Sequence, residues 1–203
     1  EIGYVRLSSF ISNDASAEMR DVIAKFQDKK ALIFDLRGNY GGLFKNAVEI
    51  SDLFLEQGKI VSIRGRFEQQ NRVEKAHPGD ETRQPLVILI DGGSASASEI
   101  VSGALKDHHR AVLIGTQTFG KGLVQKINPL EDGSGINITI SKYLTPNGSD
   151  IHEKGIQPDI EVPYTREALK ANRDPQLEAA VQYLMDKGFV SKKADIQYKK
   201  LAG

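Results

Sequence analysis

The feature that most constrains this chain is a pattern that occurs twice. An apolar strand-length run, Ala31-Leu32-Ile33-Phe34, leads into a glycine-rich turn (D-L-R-G-N-Y-G-G, 35–42) and then into an apolar-periodic segment carrying Phe44, Ala47, Val48, Ser51 and Phe54. A second run, Pro85-Leu86-Val87-Ile88-Leu89-Ile90, leads into a small-residue turn (D-G-G-S-A-S-A-S-E, 91–99) and a segment carrying Ile100, Val101, Ala104 and Leu105. Runs of four to six apolar residues are strand-length, and spacings of three and four mark one helix face. Strand, small-residue turn and helix in alternation predict an α/β core with sites at the carboxyl ends of strands, where both turns fall.

The remaining segments fit that core. Met19, Val22, Ile23 and Phe26 form one stripe, predicting a helix over about 15–28 capped by Asn13 or Asp14. Lys59 to Arg64 and 111–114 read as strands, and Ile136, Ile138 and Ile140 alternate with polar residues as in a half-exposed strand. Asp174 is placed to cap a last helix with Pro175 at its first position, Leu177, Ala180, Val181 and Leu184 on its stripe and Gly188 closing it. Residues 1–188 thus form one core, with 65–84 an exposed polar loop or hairpin marked by the turn Pro78-Gly79-Asp80. Residues 189–203 read as a basic, loose tail.

Composition removes several functions. Lys+Arg and Asp+Glu are 27 each, so no excess positive field holds nucleic acid. No run approaches the roughly 20 apolar residues of a membrane span. With no cysteine, disulfides, thiol nucleophiles and thiolate metal sites are excluded together. His77, His108, His109 and His152 lie in no metal-binding or triad context, so neither a metal nor another cofactor is expected.

Three chemical readings compete. G-T-Q-T-F-G-K (115–121) has phosphate-loop spacing, but Gly122 stands where a Mg²⁺-binding hydroxyl belongs and 123–129 reads as a strand, not a helix. Gly92-Gly93-Ser94-Ala95-Ser96 matches a nucleophile elbow only in part, because Ser96 replaces the closing glycine. The third reading is acyl transfer by a serine at a helix N-terminus, where free N–H groups and the dipole favour an oxyanion. Ser96-x-x-Glu99 is equally a capping box, so the turn alone leaves a purely structural role open. Lys121 supplies a base, flanked by Gly120 and Gly122 for close backbone approach and by Phe119, Leu123 and Val124 as desolvating neighbours. Desolvation matters because an ordinary lysine, with pKa ~10.4, is neutral in only about one molecule in a thousand near neutral pH.

Read together, D-L-R-G-N-Y-G-G (35–42), G-S-A-S-A-S-E-I (93–100) and T-F-G-K-G-L-V-Q (118–125) resemble the carboxy-terminal processing, or tail-specific, serine peptidases. Y-L-T-P-N-G (143–148) and K-G-I-Q-P-D-I (154–160) are similar to that family's closing motifs. The blocks run in the family's order from about residue 2 to 162. The resemblance implies a fold of the crotonase/Clp-protease type, Ser96 as nucleophile, Lys121 as base 25 residues later, and Gln125 as its support four residues further on. It implies an oxyanion hole from the amides of Gly42, with Gly41 next, and Ala97, while Asp107 and Glu99 are structural supports. Gly38 and Tyr40 depart from the family's commonest N-N-P-G-G turn. The resemblance also implies substrates that are proteins or peptides with apolar C-terminal tails, and a place in the bacterial cell envelope, in its periplasm. The family's PDZ domain and signal sequence are not in this chain, and the oligomeric state stays open. A catalytically silent binding scaffold on the same fold is the alternative, and a phosphate-loop NTPase the remote one.

Overall fold

A computed structural model describes residues 1–79 and 82–202, so Asp80 of the expected turn lies outside the described residues. Strands β1 (Ile2–Leu7), β2 (Ala31–Asp35), β5 (Leu86–Ile90), β6 (Val112–Gly115), β9 (Ile160–Glu161) and β10 (Ile196–Leu201) form an all-parallel sheet in the order β10-β1-β2-β5-β6-β9. Strands β3 (Lys59–Gly65), β4 (Arg72–Lys75), β7 (Leu123–Pro129) and β8 (Gly135–Leu144) form an antiparallel sheet, β4-β3-β8-β7. The helices are α1 (Ala15–Lys25), α2 (Phe44–Asp52), α3 (Ala97–Asp107), α4 (Arg166–Lys170) and α5 (Pro175–Asp186).

The parallel sheet is covered on both faces, which is why its central strands are apolar throughout rather than alternating. Period-two geometry still divides them. Leu32 and Phe34 of β2 and Leu86, Ile88 and Ile90 of β5 enter one core with α1, α2 and α3, whereas Ala31, Ile33, Val87 and Leu89 enter a second core with Ala180 and Leu184 of α5. Phe34, fully buried and stacked on Phe54 with centroids 6.1 Å apart, anchors the larger core. Truncating such a ring to alanine typically costs ~3–5 kcal/mol.

Three expectations are corrected. The first helix stops at Lys25 rather than near 28, and Asp14, its N-cap, makes no side-chain capping bond. Asp174 does cap α5, its carboxylate accepting the Leu177 amide at 3.0 Å. The tail is not loose: Ile196–Leu201 forms β10, pairing residue for residue with β1 from Ile2↔Ile196 to Leu7↔Leu201. Extra strand pairing fixes what composition alone suggested would be solvated, and the lysines Lys199 and Lys200 suit an edge strand.

Candidate active site

Strands β2 and β5 are neighbours, so the turns at their carboxyl ends meet. Ser94 Oγ donates to Leu36 O (2.9 Å), the Ala95 amide and Ser98 Oγ both donate to Asn39 O (3.0 and 2.8 Å), and the Gly38 amide donates to Asp91 Oδ1 (2.9 Å). Asn39 is fully buried. Its side chain donates to Leu7 O (2.8 Å) and accepts from the Gly41 amide (2.9 Å), tying β1 into the same junction. Sequence reading gave this asparagine no role of its own, although it lies inside the D-L-R-G-N-Y-G-G block.

The three serines of the second turn separate by environment. Ser94 and Ser98 are fully buried with their hydroxyls engaged by backbone carbonyls. Ser96 is half-exposed, and its hydroxyl donates to no residue among those described. Its backbone, at φ 56° and ψ −111°, lies in a region that non-glycine residues rarely occupy. Such strain persists only where the surroundings over-determine it. Here the Ser96 amide is held by Glu99 Oε2 (2.8 Å) while the Ser96 carbonyl accepts from the amides of Glu99 and Ile100.

Glu99 does more than close a capping box. Fully buried, it accepts the Thr118 hydroxyl and Gly120 amide on Oε1 (2.6 Å each) and the Ser96 and Lys121 amides on Oε2 (2.8 Å each). Four donors on two oxygens match an acceptor-only carboxylate, and they pin the lysine turn against the serine turn. The turn is supported from below by the closing segment. Thr118 Oγ1 accepts the Ile156 amide (2.6 Å), the Glu153 amide donates to Gly120 O (2.9 Å), and a Cβ on Gly122 would meet His152 N at 2.5 Å.

Lys121 departs from expectation in one respect. Its backbone is fixed beside Ser96, but its side chain is exposed, and Phe119, expected to desolvate it, is 65% exposed. Gln125 is also exposed, at a register shift between Val124 and Gln125 where β7 bulges against β8. Bulges re-aim side chains. Among the described residues, neither the Lys121 ammonium nor the Gln125 amide makes a side-chain hydrogen bond. The segment 115–121 leads into β7 rather than a helix.

Gly41 and Gly42 differ in use. A Cβ on Gly41 (φ 99°) would sit 2.8 Å from Ser96 Cβ and 3.0 Å from Ala97 N, so only glycine admits the serine there. The Gly41 amide is taken by Asn39. The Gly42 and Ala97 amides have no acceptor among the described residues, and Gly42 is exposed. Asp107, at the far end of α3, accepts the Asn147 amide (2.8 Å) and so ties that helix to the 145–148 turn. A depression of about 530 Å³ lined by Phe54, His108, His109 and Arg110 lies at that same far end and contains none of the site residues.

Beneath the first turn is a charged lattice that sequence reading also missed. Arg37 pairs bidentately with Asp35 (2.7 and 3.0 Å) and with Asp174 (2.8 Å twice), and Tyr4 donates to Asp35 (2.5 Å). Burial would lower the Arg37 guanidinium, but its bonds to Asp35 and Asp174 outweigh burial and push it up. Burial, then the Asp35 charge, pushes the Tyr4 phenol up, keeping it a donor. Burial acts to raise the Asp174 carboxyl, yet the hydrogen bond from Arg37 and the Leu177 amide leave it below the ordinary carboxylate range.

A parallel sheet flanked by helices, with serine and lysine turns locked at its carboxyl edge, defines a class of α/β hydrolytic fold, and comparison with known proteins places the chain within it. The profile of peptidase family S41 matches residues 1–162, and the chain belongs to that family. It is 49% identical over 170 residues to a carboxy-terminal-processing protease of Bartonella bacilliformis, covering 80% of this chain and 39% of the relative. It is 42% identical over 188 residues to a carboxyl-terminal-processing protease of Synechocystis sp., covering 90% and 44%. The solved structure of a photosystem II D1 C-terminal processing protease superposes with a TM-score of 0.74 at 37% identity, over 80% of this chain and 42% of that one. The chain therefore spans about two-fifths of the length of the curated relatives it matches. Mature CPAF shares the fold, with a TM-score of 0.80 at 17% identity. The expected mixed α/β architecture of the tail-specific proteases is the one found.

Proposed function

We propose that this chain carries the catalytic machinery of a serine endopeptidase that cleaves proteins near their C-termini. The observation that carries the reading is the contrast among three serines of one turn: two are buried anchors, and Ser96 alone is strained, accessible and fixed beside the lysine turn. In this reading Ser96 Oγ attacks the scissile carbonyl while its proton passes to neutral Lys121 Nζ. The oxyanion lies between the Gly42 and Ala97 amides, and losing one such donor typically costs ~3 kcal/mol of transition-state stabilisation. Lys121 then protonates the leaving amine, the C–N bond breaks, and an acyl-enzyme on Ser96 remains. Water, deprotonated by the same lysine, releases the acyl group. Gln125 orients the amine from the β7 bulge, while Glu99 and Asp107 hold the frame. The water exclusion that a lysine base requires comes with the bound polypeptide, which covers the exposed Lys121.

The substrates are proteins with apolar C-terminal tails. Relatives are bacterial and chloroplast processing proteases, which supports an envelope, periplasmic setting. The test is labelling of the full-length protein by a fluorophosphonate probe: the wild type reacts and Ser96→Ala does not. Undiminished labelling of Ser96→Ala overturns the assignment.

A further inference from the structure

Phe119 is 65% exposed and Tyr40 is 76% exposed, and neither ring enters an aromatic or cation contact among the described residues. Single exposed apolar side chains are ordinary. What distinguishes these two is the rigidity of the backbone beneath them. Phe119 donates its amide to Ser94 O (3.0 Å), and its neighbours Thr118 and Gly120 are both bound to the buried Glu99 carboxylate. Tyr40 stands between buried Asn39 and Gly41, whose position against Ser96 admits no side chain. A ring held on fixed backbone with its face free is preorganised for contact, because little freedom remains to be lost on binding.

Both rings stand on turns that adjoin the serine turn: the Phe119 amide bonds Ser94 O, and Gly41, next to Tyr40, abuts Ser96. Tyr40 leaves the oxyanion turn two residues before Gly42, and Phe119 leaves the lysine turn two residues before Lys121. The rim continues with Ile11 (70% exposed), whose amide lies under Gly42, and Leu43 (40%). These four exposed side chains have no formal charge and rise from segments joined to the serine turn and to Gly42, so the occupant they fit is an extended apolar stretch of polypeptide. The reaction itself decides which part of that stretch meets Phe119. The base that takes the proton from Ser96 must hand it to the departing amine, so the lysine turn faces the side on which the C-terminal piece leaves.

We propose that Phe119 is a specificity residue for the departing segment, its ring packing on an apolar side chain just beyond the scissile bond, with Tyr40 as the facing aromatic across Ser96. This rests on the reading of Ser96 and Lys121 as nucleophile and base. The site thereby selects an apolar tail at the cleavage point itself, in addition to any tail recognition elsewhere in a longer protein.

The experiment uses full-length protein and matched peptides that carry either leucine or serine at the first two positions after the cleaved bond, with kcat and KM measured separately. The wild type is expected to prefer the leucine peptide by about tenfold or more, the scale on which apolar contacts discriminate. Phe119→Ala should shrink that preference at least about fivefold, mainly through KM, and Phe119→Leu should restore part of it. A preference within about twofold of wild type in Phe119→Ala overturns the proposal. So does a shift in preference only for residues before the bond. Fluorophosphonate labelling of the wild type separates the two failures, since it needs Ser96 and its amides but no departing peptide. Absent labelling sinks the catalytic reading, whereas normal labelling with unaltered preference sinks only the role of Phe119.

Discussion

Ser96 and Lys121 donate their backbone amides to one oxygen, Glu99 Oε2, at 2.8 Å each, which holds the two nitrogens within about 5.6 Å of one another. Glu99→Gln replaces one acceptor with an NH₂ donor, which then faces either the Ser96 and Lys121 amides or the Gly120 amide and Thr118 hydroxyl. Each buried donor left unpaired costs ~1–3 kcal/mol, and the strained Ser96 backbone loses its tether. Labelling of Ser96 should therefore fall at least about tenfold, with a lower Tm, and more steeply in Glu99→Ala. Wild-type labelling in Glu99→Gln would remove the glutamate from the positioning of the site.

The flanking serines provide a control. Ser94→Ala and Ser98→Ala each delete a buried hydroxyl that bonds the second turn to the first. They should lower stability by ~1–3 kcal/mol in chemical denaturation while still labelling with the probe. Complete loss of labelling in a folded Ser98→Ala protein would point to the wrong serine.

Gly41→Ala tests the close approach. Its Cβ would fall 2.8 Å from Ser96 Cβ at a φ of 99°, so either the serine or the oxyanion turn must shift. Left-handed backbone costs a non-glycine residue ~1–2 kcal/mol before any clash. Labelling should drop by about a hundredfold or more, since a misplacement of 1 Å can have that effect. An alanine variant with wild-type labelling would show that the two turns are not in contact as described.

How much of this was legible in the sequence depends on the range of the interaction. The strand, turn and helix alternation was readable because β2 and β5 are buried on both faces and their turns need small residues. The roles of Ser96, Lys121 and Gln125 came from the resemblance of ordered motifs along the chain, since nothing in the local pattern links a lysine to a serine 25 residues before it. β10 was not readable, because its partner β1 lies nearly the whole chain away and an edge strand bearing Lys199 and Lys200 has the composition of a solvated tail. Glu99 was read as a helix cap because a capping box accounts for one of its four bonds, while the other three come from residues about twenty positions later. The exposure of Lys121 and of Phe119 is likewise a property of the tertiary arrangement, which no spacing encodes.

The Asp174 carboxyl joins α5 to Arg37 and lies below its ordinary value in the fold. A carboxyl depressed on folding contributes stability above its unfolded pKa of ~3.9 and loses it as pH falls through the lower folded value. The Tm should be nearly level from about pH 7 to 5 and decline below about pH 4. Asp174→Asn should lower the Tm at neutral pH and flatten that decline. An equally steep acid limb in the variant would assign the acid sensitivity to other carboxylates.

Lys121 decides between a lysine base and every other proton acceptor. Lys121→Arg keeps a long basic side chain and the backbone amide bonded to Glu99, but a guanidinium with pKa above ~12 cannot accept the serine proton at working pH. It should be nearly as inactive as Lys121→Ala, losing about 10²-fold or more in peptide hydrolysis. Gln125→Ala should lose less, because the β7 bulge still positions the strand on which the lysine turn ends. Replacing His77, His108, His109 and His152 together should leave the pH–rate profile of a folded protein unchanged in shape. EDTA and ATP should likewise have no effect on the rate. The measurement is a pH series of kcat/KM for each variant, with circular dichroism to show that each is folded. An active Lys121→Arg enzyme, or a profile abolished by the histidine substitutions, would make another residue the base even though the fold and family stand.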